Sequence, residues 1–191
     1  MVTIDKLRKE VKKRLSLNRF EHSERVANMS EKLSKIWNGD TAKLIYAAYL
    51  HDIARDMPTK DLVKIVKENG YRISKLEYAK PVLLHSLAGT IIAETIFGVN
   101  DQSILNAIRY HTTGRKGITV NEAIIYVADF TECGRNFKEA NIVRKISFKN
   151  LKEAVLKETE FNACFLMNKR KLIHPYSIEM FNDLLKNEIL P

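Results

Sequence analysis

Apolar residues recur at helical spacing along almost the whole chain, and no run of alternating β-branched residues bounded by turn signals interrupts them. The pattern predicts an all-α fold, a single helical bundle. A first helix is expected over Ile4 to Leu15 and a second from near Arg19 to Trp37, where Val26, Met29 and Leu33 share one face with His22. Asn38-Gly39-Asp40 closes that helix. Thr41 to Ala54 reads as the next, with Leu44, Ala47 and Ala48 leading to His51, and Asp52 one step round. After Pro58 a segment from Thr59 to Glu68 stops at Asn69-Gly70, and an irregular connection leads to Pro81, placed for the first turn of a helix. Along that helix His85 shares its stripe with Ala88, Gly89, Ile92 and Ile96. Asp101 is read as the cap of a short helix in which Ile104 and Ile108 phase with His111, and Thr112 to Gly117 breaks it with a polar, glycine-containing loop. Helix resumes from Asn121 to Thr131, with Ile125 one turn before Asp129. The C-terminal third predicts two or three more helices, broken at Pro175.

No linker, internal repeat or low-complexity run divides the sequence, so residues 1–191 are expected to form one domain, which at this length buries roughly 70% of its unfolded surface. Cys133 and Cys164 stand far apart in no metal-ligand spacing, which suits a reducing compartment. Met1 to Leu15 is charged and amphipathic, without the apolar centre of a signal peptide, and no stretch reaches the ~20 apolar residues of a membrane span. A cytoplasmic protein with no membrane partner is the expectation. With Lys+Arg 32 against Asp+Glu 23 the net charge is +9, favouring polyanionic partners. Lys6, Arg8, Lys9, Lys12, Lys13 and Arg14 crowd the first helix and raise the alternative of a nucleic-acid binder. The absence of interleaved aromatics counts against that alternative.

The chemistry concentrates elsewhere. Four of the five histidines and two aspartates, in the order His22, His51-Asp52, His85, His111, Asp129, fall on or beside the apolar faces of five different helices. Burying these groups without partners costs several kcal/mol for each charge, so a shared cation is the economical explanation. Imidazole and carboxylate without thiolate suit iron or manganese, admit zinc and disfavour calcium. Arg115, Lys116 and Arg135 lie close in sequence to His111 and Asp129, as phosphate clamps would, which favours a hydrolytic over a redox metal.

These residues carry a resemblance. Arg19-Phe20-Glu21-His22-Ser23-Glu24-Arg25-Val26, Leu50-His51-Asp52-Ile53-Ala54, Leu83-Leu84-His85-Ser86, His111-Thr112-Thr113-Gly114 and Tyr126-Val127-Ala128-Asp129 together resemble the HD-domain metal-dependent phosphohydrolases, and in detail the YqeK-type symmetrical diadenosine tetraphosphate hydrolases. The resemblance implies that His22, His51, Asp52 and Asp129 hold iron, with manganese or another divalent cation as substitutes. It also implies that His85 and His111 face the substrate phosphates or a second metal ion, with Thr112 beside them, and that Arg135 binds phosphate. Leu172-Ile173-His174-Pro175-Tyr176-Ser177 matches the stretch that closes over the nucleoside, which makes Ile173, His174, Pro175 and Tyr176 substrate-binding candidates. Cys133 stands where the family usually has proline.

The implied reaction is attack of a cation-activated water on a dinucleoside tetraphosphate, yielding two nucleoside diphosphates. In it Asp52 orients the water or takes its proton, and His85 and His111 stabilise phosphoryl charge. The expected partner is a nucleotide or dinucleoside polyphosphate substrate, with a homodimer compatible and nucleic acid disfavoured. A sister enzyme acting on a deoxynucleotide or an alarmone, and an HD-type oxygenase with two irons, share the ligand pattern.

Overall fold

The computed structural model describes residues 2–191, and among them every regular element is helical. The helices are α1 (Ile4–Arg14), α2 (Leu17–Trp37), α3 (Thr41–Leu50), α4 (Thr59–Glu68), α5 (Lys75–Ala79), α6 (Leu84–Thr95), α7 (Gln102–Tyr110), α8 (Val120–Thr131), α9 (Lys138–Ser147), α10 (Leu151–Asn168) and α11 (Pro175–Lys186). The expected all-α class holds. Short polar side chains start many of these helices by accepting first-turn N–H groups: Asp40 for α3, Asp101 for α7, Thr119 for α8 and Asn150 for α10. Asn38, at φ 54°, ends α2 in the left-handed region and turns the chain into α3.

Four boundaries differ from the expectation, each for a local reason. Helix α3 stops at Leu50, and three-residue bonds (Ile53 N–H to Leu50, Arg55 N–H to Asp52, Met57 N–H to Ala54) tighten the chain that follows. His51 and Asp52 therefore sit in this tightened turn and both reach the interior. The connection before Pro81 contains α5, started by a reciprocal Ser74–Glu77 capping box that the hydrophobic pattern did not reveal. A 3₁₀ turn at Pro81–Leu83 precedes α6, whose buried stripe ends at Ile92 because Ile96 lies at the C-terminus and is exposed. Pro175 starts α11 in its first turn, where its missing N–H is not needed.

Helix α8 is the centre. Residues Ala123 to Ala128 are all buried, with α2, α3, α7, α9 and α10 packed round them. Helices α2, α3, α6, α7 and the last turn of α8 thus present their inner faces to a common interior. Helix α11 is tied to the loop after α7 by Ser177 Oγ donating to Thr113 O at 2.8 Å and by Gly117 N–H donating to Asp183 at 2.9 Å. Gly114 makes this docking feasible, since its φ is +61° and an added Cβ would overlap the Met180 thioether. No helix among the described residues is long and apolar enough to cross a membrane.

Candidate metal centre

Four imidazoles meet in the interior, three of them through one repeated device. His51 and His111 stand at the C-termini of α3 and α7, where the last carbonyls of a helix lack partners. Each ring turns its Nδ1 back onto the carbonyl three residues earlier, His51 on Ala48 at 2.7 Å and His111 on Ile108 at 2.8 Å. His85, in the first turn of α6, does the same with Val82. His22 lies inside α2, where the carbonyls are already used, and its Nδ1 faces the carboxylate of Glu132 at 3.2 Å. Every one of these partners is an acceptor, which places a proton on each Nδ1 and leaves Nε2 of the neutral ring with a lone pair.

Those lone pairs point at one another. Nε2 of His51 is 3.3 Å from Nε2 of His22, and Nε2 of His85 is 3.1 Å from Nε2 of His111. Two carboxylates complete the ring. Asp129 Oδ1 is 3.0 Å from His22 Nε2. Asp52 faces both pairs, Oδ2 lying 3.5 Å from His51 and Oδ1 lying 3.3 Å from His85 and 3.7 Å from His111. With the rings neutral, acceptors converge on acceptors, which is the donor chemistry that a cation satisfies. His22, His51 and Asp129, and separately His51, Asp52 and His111, offer ligand atoms within 4.8 Å of one another. The residues fit a divalent metal.

Electrostatics agree. Burial pushes His51 down and takes His111 to about 3, helped there by neighbouring His51 and His85, so both rings are neutral, as ligation requires. For Asp52 and Asp129 burial is the largest influence and opposes ionisation, yet the surrounding imidazoles hold both carboxyls well below their ordinary range. His22 is raised: burial lowers it, but Asp129, Asp52 and Glu132 together outweigh that.

The other expected residues divide. Thr112 reaches the cluster, its Oγ1 3.0 Å from His111 Nε2 and 3.4 Å from His85 Nε2. Arg135 binds Asp129 through its carboxylate at 3.0 Å and its carbonyl at 3.1 Å. Ile173 and His174 line a cavity of about 450 Å³ together with Thr112, Leu83, Phe165 and Leu172. Pro175 and Tyr176 face a neighbouring cavity with Glu77 and Arg109 instead. Arg115 turns away from the cluster into a two-pronged bond with Glu122, at 2.9 and 2.8 Å, and Lys116 lines a surface hollow with Glu179 and Asp183. Neither reaches the cluster. Cys133 is exposed.

Three further residues stand at the centre without a role assigned by the sequence pattern: Glu132, Arg19 and Arg25. Glu132 is buried, orients His22, and accepts from Arg25 Nε at 2.7 Å and from the Gly134 N–H. Burial, its largest influence, raises it, while Gly134, Arg25 and His22 bring it below the ordinary value. An added Cβ on Gly134 would lie 2.7 Å from Arg25 Nε, so glycine is needed for this close approach. Arg19 NH1 donates to Asp52 Oδ2 at 2.7 Å. All three lie in segments bearing expected site residues, and a buried-site reading of their charges would have found them.

Comparison with known proteins places this geometry. A family model described as HD domain matches residues 19–132. The symmetrical bis(5'-nucleosyl)-tetraphosphatase of Bacillus subtilis (strain 168) is 33% identical over 92% of this chain and 94% of its own length. Its namesake from Staphylococcus aureus (strain NCTC 8325 / PS 47) is 31% identical over 95% of this chain and 94% of its own. A crystal structure from Clostridium acetobutylicum, described as a predicted HD superfamily hydrolase involved in NAD metabolism, superposes with a TM-score of 0.94 at 34% identity, covering 97% of this chain and 98% of that one.

Proposed function

Because this chain belongs to the HD-domain family, we propose that it is a metal-dependent phosphohydrolase that cleaves diadenosine tetraphosphate symmetrically into two ADP. The observation that carries the reading is the convergence of four Nε2 atoms and two carboxylates beside a nucleoside-sized cavity, in a chain whose relatives bear that activity in their names. His22, His51, Asp52 and Asp129 hold the cation, and iron is the metal we propose, with manganese or another divalent ion able to replace it. Bound there, it supplies Lewis acidity, acidifying a water and neutralising phosphoryl charge.

The chain's own groups do the rest. Asp52, with one oxygen toward His51 and the other toward His85 and His111, orients the water and can take its proton. The water oxygen bonds to the second phosphorus of one half, and the bond from that phosphorus to the central bridging oxygen breaks. That oxygen leaves on the other ADP, so one water enters and two ADP depart. His85, His111 and Thr112 contact the phosphoryl oxygens or carry a second ion, and Arg135 neutralises the charge that develops. Ile173 and His174 contact the nucleoside, while Pro175 and Tyr176 begin the helix that holds this stretch in place. Residues 1–191 act as one domain in this reading.

Product analysis tests it. Purified protein loaded with iron or manganese should convert diadenosine tetraphosphate to two ADP per substrate, with ADP inhibiting competitively. ATP plus AMP as products, or turnover of a deoxynucleotide or alarmone in its place, would reject the assignment.

A further inference from the structure

Two cavities meet the cluster, and they share no lining residue. The one described above reaches the His85–His111 end through Thr112; Arg55, Lys80 and Lys171 belong to its lining, and Val82, Leu83, Phe165, Leu166, Leu172 and Ile173 give it an apolar surface against which a base can lie. The second, about 420 Å³, reaches the other end through His22. Its wall contains no aliphatic, Phe, Tyr or Trp side chain. Three guanidiniums dominate it, Arg19, Arg25 and Arg135, with Asn18 and Ser16 beside them and Glu132 as the one carboxylate.

Each guanidinium is anchored to the centre by one edge. Arg19 bonds through NH1 to Asp52, Arg25 through Nε to Glu132, and Arg135 through Nε and NH2 to Asp129. A guanidinium has five N–H donors, so each retains donors for a ligand. Arg19 Nε is buried without a hydrogen-bond acceptor, Asp56 Oδ1 standing 3.5 Å away at ion-pair range only. The carboxylates that anchor Arg19 and Arg135 are the metal's own candidate ligands. A cation on Asp52 and Asp129 therefore offsets their charge and leaves the cleft more positive.

We propose that the Arg19–Arg25–Arg135 cleft is a second anion subsite, which takes the diphosphate of the departing half of the substrate and recognises that half by its phosphates, with no reading of its base. The proposal rests on the dinucleoside tetraphosphate reading above and deepens it. A four-phosphate chain spanning the cluster from the apolar cavity to the cleft puts two phosphates on each side of the cluster, which accounts for a central cut. One nucleoside is gripped in the apolar cavity. The other extends past an all-polar wall.

Two measurements decide it. First, inorganic pyrophosphate is titrated calorimetrically into metal-loaded protein whose nucleoside cavity is filled by a single equivalent of ADP. It should bind wild-type protein, and binding should weaken by about tenfold to a hundredfold in Arg19→Gln and in Arg25→Gln. Metal content and thermal stability of each variant are measured alongside, and Arg25→Lys provides a variant that keeps the charge and loses the fork. Pyrophosphate binding equally tight in wild type and in both metal-replete Gln variants would overturn the subsite. Second, replacing one adenine of the substrate by uracil should change kcat/KM by no more than about threefold, whereas replacing both should cost about tenfold or more. Equal losses for each adenine replaced would show that both bases are read and would overturn the asymmetry. Should no dinucleoside tetraphosphate be cleaved at all, the enzymatic reading fails, and the pyrophosphate titration still decides the cleft on its own.

Discussion

The two ends of the cluster are built differently. At the His85–His111 end, and at His51, every imidazole is oriented by a carbonyl of its own chain segment three residues away, an acceptor that no side-chain substitution removes. At the His22 end the orienting acceptor is a carboxylate 110 residues distant, itself held by Arg25 and Gly134. Local orientation is robust and comes with the fold. Long-range orientation can be adjusted, and broken, one side chain at a time. Asp52 joins the ends, one oxygen to each, so it is the residue whose loss should erase the distinction. Asp52→Ala is expected to abolish tight metal binding and to cut turnover by at least about a thousandfold, read by metal analysis and by ADP release. Full metal occupancy in that variant would mean that the ligand set is wrong.

The next effects separate the ends. His111→Ala, or His85→Ala, removes a donor from the backbone-oriented side while His22, His51, Asp52 and Asp129 remain. One metal per chain should stay bound, and turnover should fall by about two to three orders of magnitude, the scale of losing one preorganised charge-stabilising group. A variant that loses all of its metal would show that the ends are not separable. At the His22 end a smaller effect is expected from Glu132. In Glu132→Ala the ring keeps its place in α2 and loses its orientation, so metal affinity, measured by chelator competition, should drop by about tenfold to a hundredfold. Glu132→Gln retains an oxygen acceptor for Nδ1–H and should recover most of that loss. If Gln and Ala behave alike, Glu132 acts by charge on the cation and not by orienting His22.

This difference also explains what could be read from the sequence. The histidines at the centre fell on apolar stripes because the helices that carry them are amphipathic, and a period of 3.6 residues is a one-dimensional signal. Asp52 was harder, since on a continued helix it would sit about 100° round from His51. The three-residue turns after Leu50 bring both inward, and no periodicity shows that. Proximity in the chain suggests Arg115 and Lys116 as clamps, but Glu122, in the first turn of α8 and buried, captures Arg115. Glu132, Arg19 and Arg25 were passed over because their partners lie 33 to 110 residues away. The C-terminal stretch shows the same limit: Ile173 and His174 reach the cavity with Thr112, while Pro175 and Tyr176, next in sequence, turn to another one as α11 begins.

The smallest effect tests the far side of the His22 end, where Glu158 on α10 is buried and its Oε2 has no partner. Burial, reinforced by the charge of Asp129 and only partly offset by Arg135, raises its carboxyl well above the ordinary range. The sign of the consequence is fixed by proton counting. Between the unfolded value near 4.5 and the raised folded value, the native state binds the proton and the unfolded chain does not. Stability contributed by this group is therefore full below the unfolded value and declines as pH rises toward the folded one. Glu158→Gln keeps the shape, stays neutral at every pH and removes that slope. Thermal melts of metal-loaded wild type and variant should coincide near pH 4.5 and diverge upward, with the variant melting higher near pH 8 by about 2–4 °C for each kcal/mol relieved. Turnover should move far less than in Glu132→Ala, because Glu158 orients no ligand. Parallel melting curves across that range would show that Glu158 is charged in the fold.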